Sequence, residues 1–258
     1  MNEIGTIYGI ILALLFAVAA GLVGSFALMK RMILAGDVIS HVALPGLGLA
    51  FLLHFNPMLG GAATLFLGTL LIWQLQKKTE LATEVAIGVV FAGSLAIGAA
   101  LTPQEDLVDA LFGKFEQLSA TTFLIGVFAV LLIIFFILRF KDVLILNLFS
   151  PELAAATGVK LNRLNLLFLL VFSLTVLVGL RFMGALLAGA LIIIPAATGR
   201  RLARSLSHLL IASSLVSLLA VGIGFLLKAY VLQALSLGPI IGIVSALLFG
   251  LSLTKSTA

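Results

Sequence analysis

The chain has 258 residues, of which 62% are hydrophobic and only 10% charged, against roughly 45–50% and 25% in soluble domains. No soluble fold hides that much apolar surface, and beside so many apolar segments of about 20 residues each there is no room for an ATP-hydrolysing domain. A net charge of +5 would point to nucleic acid only if the basic residues clustered on one solvated face, and they do not; the absence of cysteine excludes disulfides and thiolate metal sites.

Hydropathy predicts an all-α, polytopic integral membrane protein, a single bundle over residues 1–258. Its apolar segments fall at about 7–29, 33–54, 58–75, 85–102, 119–138, 164–180, 182–198, 208–227 and 234–253, each long enough or nearly so to cross the hydrocarbon core. The count is about nine. Eight is the alternative, because the seventh segment is the shortest and contains Pro195, and a segment of that kind can be re-entrant where protein or a water-filled cavity surrounds it. The first segment has Glu3 ahead of it and lacks the basic start and short core of a cleaved signal peptide, so it reads as a span.

Lys and Arg gather in cytoplasmic loops, and their positions orient the bundle. With the N-terminus outside and the C-terminus inside, Lys30, Arg31, Lys77, Lys78, Arg139, Lys141, Lys160, Arg163, Arg200, Arg201, Arg204 and Lys255 are cytoplasmic, twelve of the 15 basic residues. Only Lys114, Arg181 and Lys228 fall outside. The basic balance thus reports topology.

The second segment carries Gly36-Asp37-Val38-Ile39-Ser40-His41-Val42-Ala43-Leu44-Pro45-Gly46. Four residues apart, Asp37 and His41 share one helical face, and Asp37 is the one acidic residue that this reading puts inside the membrane. A buried carboxylate is costly unless paired, hydrated or bound to a cation. Carboxylate with imidazole suits manganese, iron or zinc, and a two-fold dimer would bring two of each to a four-ligand site. From the residues alone, a helix-end carboxylate bonded to His41 or Ser40 stands as an equal reading. Pro45 predicts a kink just beyond His41, while His54, at the outer end of the segment, is expected at the interface. The loop at 102–118 holds Glu105, Asp106, Asp109 and Glu116 and reads as solvated, with a weak pull on cations.

The longest cytoplasmic loop contains Phe149-Ser150-Pro151-Glu152-Leu153-Ala154-Ala155-Ala156-Thr157-Gly158, the pattern of a short helix at about 150–158. Ser150 is the expected N-cap, Pro151 the first helical residue and Gly158 the stop. So short a helix is marginal in water, so it packs on a partner or on the membrane surface. His208 enters the eighth segment from the basic loop and is expected at the interface. Gly113-Lys114 is followed by Phe115, so no phosphate-binding loop is present, and no nucleophile with its base can be assembled.

At these residues the sequence resembles the permease subunits of bacterial ABC importers for zinc, manganese and iron, over nearly its whole length. The resemblance rests on Lys30-Arg31 before Gly36-Asp37 through Ser40-His41 and Leu44-Pro45-Gly46, and on Thr83-Glu84-Val85-Ala86-Ile87-Gly88. Leu111-Phe112-Gly113, Pro151-Glu152-Leu153-Ala154 through Gly158, Ile194-Pro195-Ala196-Ala197 and Gly238-Pro239 follow in the family's order. It implies a multi-pass permease of a bacterial-type inner membrane, not itself an enzyme, paired with a second copy and served by two cytoplasmic ATPase subunits and an extracytoplasmic metal-binding protein. It implies metal in the pathway at Asp37 and His41, and no permanently bound cofactor. The segment formed by Ser150, Pro151, Glu152, Leu153, Ala154 and Gly158 corresponds to the family's coupling helix, although Ser150 stands where the family often has Asp. The competing reading is a proton-coupled secondary transporter with Asp37 and His41 as its relay; a membrane scaffold is a third.

Overall fold

The computed structural model describes residues 3–32, 35–79, 82–101, 118–232 and 235–254. All regular structure among them is helical: α1 Glu3–Met29, α2 Ala35–His41, α3 Leu44–Leu52, α4 Pro57–Thr79, α5 Thr83–Leu101, α6 Ala120–Phe149, α7 Pro151–Ala156, α8 Leu161–Met183, α9 Ala185–Leu202, α10 Leu206–Tyr230 and α11 Leu237–Leu253. Runs of Leu, Ala, Ile and Phe form helices here because only a helix satisfies every backbone group within one segment. Three buried hydroxyls follow the same logic and donate back to carbonyls four residues earlier, Ser25 to Gly21, Thr69 to Leu65 and Thr175 to Val171, each at 2.8 Å.

Among the described residues six helices, α1, α4, α5, α6, α8 and α10, are long and apolar enough to cross a membrane. Of the nine expected segments the other three are shorter: the stretch Val38–Leu52, the helix Leu237–Leu253, and the 18-residue α9, which ends on Arg200 and Arg201. Pro195 lies inside α9 without ending it.

The core lies along α1, which packs against α6, α8, α9 and α10. Its most apolar window is 72% buried, whereas those of α5 and α6 are 22% and 28% buried. Phe16 and Phe26 of α1 meet Phe168 and Phe172 of α8 in this core, all fully buried, with Phe26 edge-on to Phe168 at 6.4 Å. By contrast α5 and α6 turn Val89, Ile97, Phe128 and Phe135 outward, an apolar surface that only lipid or another protein would cover favourably.

Two backbone features set how the helices meet. Gly184, at φ 85°, lets α8 reverse into α9 with no intervening loop, a conformation that side chains with a Cβ rarely adopt. In α3 and α4, a Cβ on Gly46 would fall on the Gly60 carbonyl and one on Gly60 on the Gly46 carbonyl, so the two backbones are in direct contact there.

The disruption expected just beyond His41 is present there, as a break in the helix instead of a kink. The segment breaks into α2 and α3 at Val42 and Ala43, earlier than a kink at Pro45 itself. Val42 and Ala43 donate to the carbonyls of Ile39 and Ser40, at 3.0 and 3.3 Å, which are three-residue bonds that tighten a helix end. Pro45 has no N–H for the His41 carbonyl and instead opens α3 from its first turn.

Candidate metal and coupling sites

In α2, Asp37 and His41 keep the four-residue helical spacing that puts them on one face. The side chain of Asp37 is outside what is described. His41 is half-buried, its ring 5.8 Å from that of Phe91 on α5, and Ser40 is buried beside it. The helix is held by α5, α8 and α9. Thr64 of α4 reaches the break behind it, its hydroxyl 3.3 Å from the Ala43 carbonyl. Among the described residues no three of His, Cys, Asp and Glu converge. His54, exposed in the turn between α3 and α4 at φ 54°, and His208, exposed in the first turn of α10, join no such group. One copy of this chain therefore does not assemble a three-ligand shell among the described residues. The acidic loop, apart from Leu118, and the motif Leu111-Phe112-Gly113 lie outside the described residues.

The short helix α7 forms as the sequence indicates, with Pro151 in its first turn and Gly158 at φ 78° behind it. Ser150 occupies the N-cap position, but its side chain makes no capping hydrogen bond; its backbone carbonyl accepts from the Ala154 N–H at 3.0 Å. Ala154 is fully buried, whereas Leu153 and Phe149 are 60% and 74% exposed. Since α7 packs on α6 and α8, Ala154 is the anchor to the chain's own fold, and an outside partner would meet Glu152, Leu153, Ala155 and Ala156, all exposed. Phe149 was not singled out in the sequence; an aromatic residue directly before the Ser-Pro cap was its only signal.

A polar junction sits at the Met29 end of α1. Lys30 Nζ donates to Asn165 Oδ1 at 2.9 Å and lies 4.6 Å from the Phe168 ring centroid. Asn165 Nδ2 in turn donates to Gln76 Oε1 at 3.0 Å, while Trp73 Nε1 donates to the Asn162 carbonyl at 3.1 Å. Burial pushes the Lys30 ammonium down from its ordinary 10.5 to about 8, because the charged form loses solvation. The junction ties α1, α4 and the start of α8, the helix that follows α7.

Residues 5–256 match the ABC 3 transport family. The chain belongs to that family. The match spans both the Asp37–His41 helix and α7. Among ABC 3 relatives, the chain is 30% identical over 253 residues to the high-affinity zinc uptake system membrane protein ZnuB of Haemophilus influenzae, covering 96% of this chain and 94% of that protein. It is 31% identical over 248 residues to the manganese import system permease protein ScaB of Streptococcus gordonii, covering 93% of this chain and 87% of that one. Among solved structures it resembles PsaBC from Streptococcus pneumoniae in complex with Fab, with a TM-score of 0.79 and 27% identity over 96% of this chain and 90% of that chain.

Proposed function

We propose that this ABC 3 family chain is the transmembrane permease subunit of an ATP-driven importer of a divalent transition metal, manganese, zinc or iron, in a bacterial-type cell membrane. The observation that carries the reading is the end-to-end similarity to relatives named for zinc uptake and manganese import. In it the chain crosses the membrane nine times, N-terminus outside and C-terminus inside, with α2 and α3 together making one crossing. Two copies bring two Asp37–His41 pairs to a common axis, where four oxygen and nitrogen ligands hold the ion transiently. Support comes from α5, which sets Phe91 beside His41 and leaves Val85, Val89 and Ile97 exposed, an apolar surface next to the pair that a second copy can cover. On the cytoplasmic side α7 docks on a separate ATPase subunit, and an extracytoplasmic metal-binding protein delivers the ion. Imidazole ligates only when neutral, so protons compete with the metal.

The test is uptake of radiolabelled manganese and zinc by permease and ATPase reconstituted together. Uptake should stop without ATP hydrolysis and survive a proton uncoupler; the reverse pattern would replace this reading with a proton relay through the same two residues. Asp37→Asn and His41→Ala should each remove most uptake at matched membrane abundance, and the double variant should lose little more, since either change breaks one site. Near-normal uptake by both single variants would end the metal assignment.

A further inference from the structure

Between α1, α6 and α10 the outer surface of the bundle holds a groove of about 420 Å3. Leu22 of α1, Leu138 of α6 and Leu215 and Leu218 of α10 line its length, and Lys141 and Ser207 close one end. Leu138 and Leu215 are 51% and 55% exposed, so the groove opens outward. Lys141 stands three residues after Leu138 and so shares its helical face. It is half-buried, and among the described residues it has no hydrogen-bond or ion-pair partner. Asp142 follows it but lies about 100° round the helix.

The chemistry at the two ends of the groove differs in a way that selects its occupant. An unpaired ammonium at the edge of an apolar surface favours an anion, and where hydrocarbon meets the headgroup layer that anion is a lipid phosphate. From Ser207 to Leu218 the groove follows α10 for eleven residues, about 16 Å at the helical rise, which matches one leaflet of a hydrocarbon core about 30 Å thick. A single acyl chain thus runs from the cation to mid-bilayer.

We propose that this groove binds one anionic glycerophospholipid, its phosphate on the Lys141 ammonium and the Ser207 hydroxyl, and one acyl chain lying along α10 between α1 and α6. In the orientation proposed above the lipid belongs to the inner leaflet, but the site does not depend on the transported ion.

The test uses the full chain in nanodiscs. Trp73, the only tryptophan, is replaced in Trp73→Phe, and Leu215→Trp places a fluorescent reporter in the groove. Brominated phosphatidylglycerol should quench it with an apparent affinity about fivefold above that of brominated phosphatidylcholine, the preference one lysine confers. Lys141→Gln should reduce that ratio to near one. A reporter at Phe128→Trp, on the outward face of α6, should distinguish the lipids in neither background. Equal quenching by the two lipids, or a preference that survives Lys141→Gln, overturns the proposal. So does protection of the reporter from both lipids, the result expected if a protein helix fills the groove. Native mass spectrometry of the unsubstituted chain supplies a readout independent of the reporter: phosphatidylglycerol should be retained by the wild type and lost in Lys141→Gln, and equal retention also overturns it.

Discussion

At the Met29 end of α1, the hydrogen bond from Lys30 to Asn165 and the Phe168 ring beneath the ammonium offset the loss of water around a buried charge. The balance is incomplete, since burial still lowers the group to about 8. The folded state therefore releases this proton near pH 8, while the unfolded chain holds it up to its ordinary value of 10.5. In that window the unfolded state binds more protons, so stability rises with pH; below about 8 the cost is present in full and constant. Thermal unfolding in detergent should show a melting temperature that climbs from pH 8 to 10 more steeply in the wild type than in Lys30→Gln. Equal slopes would mean that Lys30 is solvated. Sequence reading could pair Asp37 with His41 because their relation is local, four residues on one helix. It took Lys30 as a marker of orientation and as part of a family motif but not as a buried group, because Asn165 is 135 residues away and Gln76 is 89 residues from Asn165; no local pattern brings such positions together.

Among the helices, α3 and α4 approach backbone to backbone at Gly46 and Gly60, where either added Cβ would meet a carbonyl that cannot move aside like a side-chain tip. Gly46→Ala should cost about 1–3 kcal/mol through overpacking. Gly222→Ala in α10, with nothing within 4 Å, should be neutral or gain up to about 1 kcal/mol from helix propensity. Denaturant titration of the two variants checks the difference, and similar losses would mean that α3 and α4 do not touch at this pair. For α7, Leu153→Asp should leave the permease folded while removing ATPase binding or coupled hydrolysis. Ala154→Asp puts a charge into the chain's own packing and should lower the yield of folded permease itself. If coupled hydrolysis survives Leu153→Asp, the docking surface is elsewhere. Composition located α7 and its Pro151 and Gly158 ends. It could not say which face turns inward, because a helix of six residues has under two turns and its inward face is decided by α6 and α8. The break at Val42 and Ala43 was legible only as a bend, since it depends on which carbonyls the preceding turn can still satisfy.

For the molecule as a whole, the proposed orientation rests on the helix ends: Lys77 and Lys78 close α4, Arg200 and Arg201 close α9, and Lys30 and Arg31 follow α1, against single basic residues, Arg181 and Lys228, in the last turns of α8 and α10. The six long helices were legible from hydropathy alone, while the short ones test whether each remaining segment crosses. At the helical rise, α11 with 17 residues and α9 with 18 reach about 26 and 27 Å, just under a hydrocarbon core of about 27–30 Å. Short crossings survive where protein surrounds them, and α9 is enclosed by α1, α2, α8, α10 and α11. The chain has no cysteine, so Glu152→Cys, Arg204→Cys, Asn56→Cys and Ser236→Cys each introduce a single thiol at an exposed position. With nine crossings, the thiols at 152 and 204 should react with an impermeant maleimide only from the cytoplasmic side, and those at 56 and 236 only from outside. The pattern is diagnostic because each failure leaves its own signature. If α9 turned back instead of crossing, position 204 would label from outside and position 236 from the cytoplasm, with 56 and 152 unchanged, and the count would be eight. If α2 and α3 failed to cross together, position 56 would label from the same side as a thiol introduced at Arg31→Cys, which stands exposed ahead of α2.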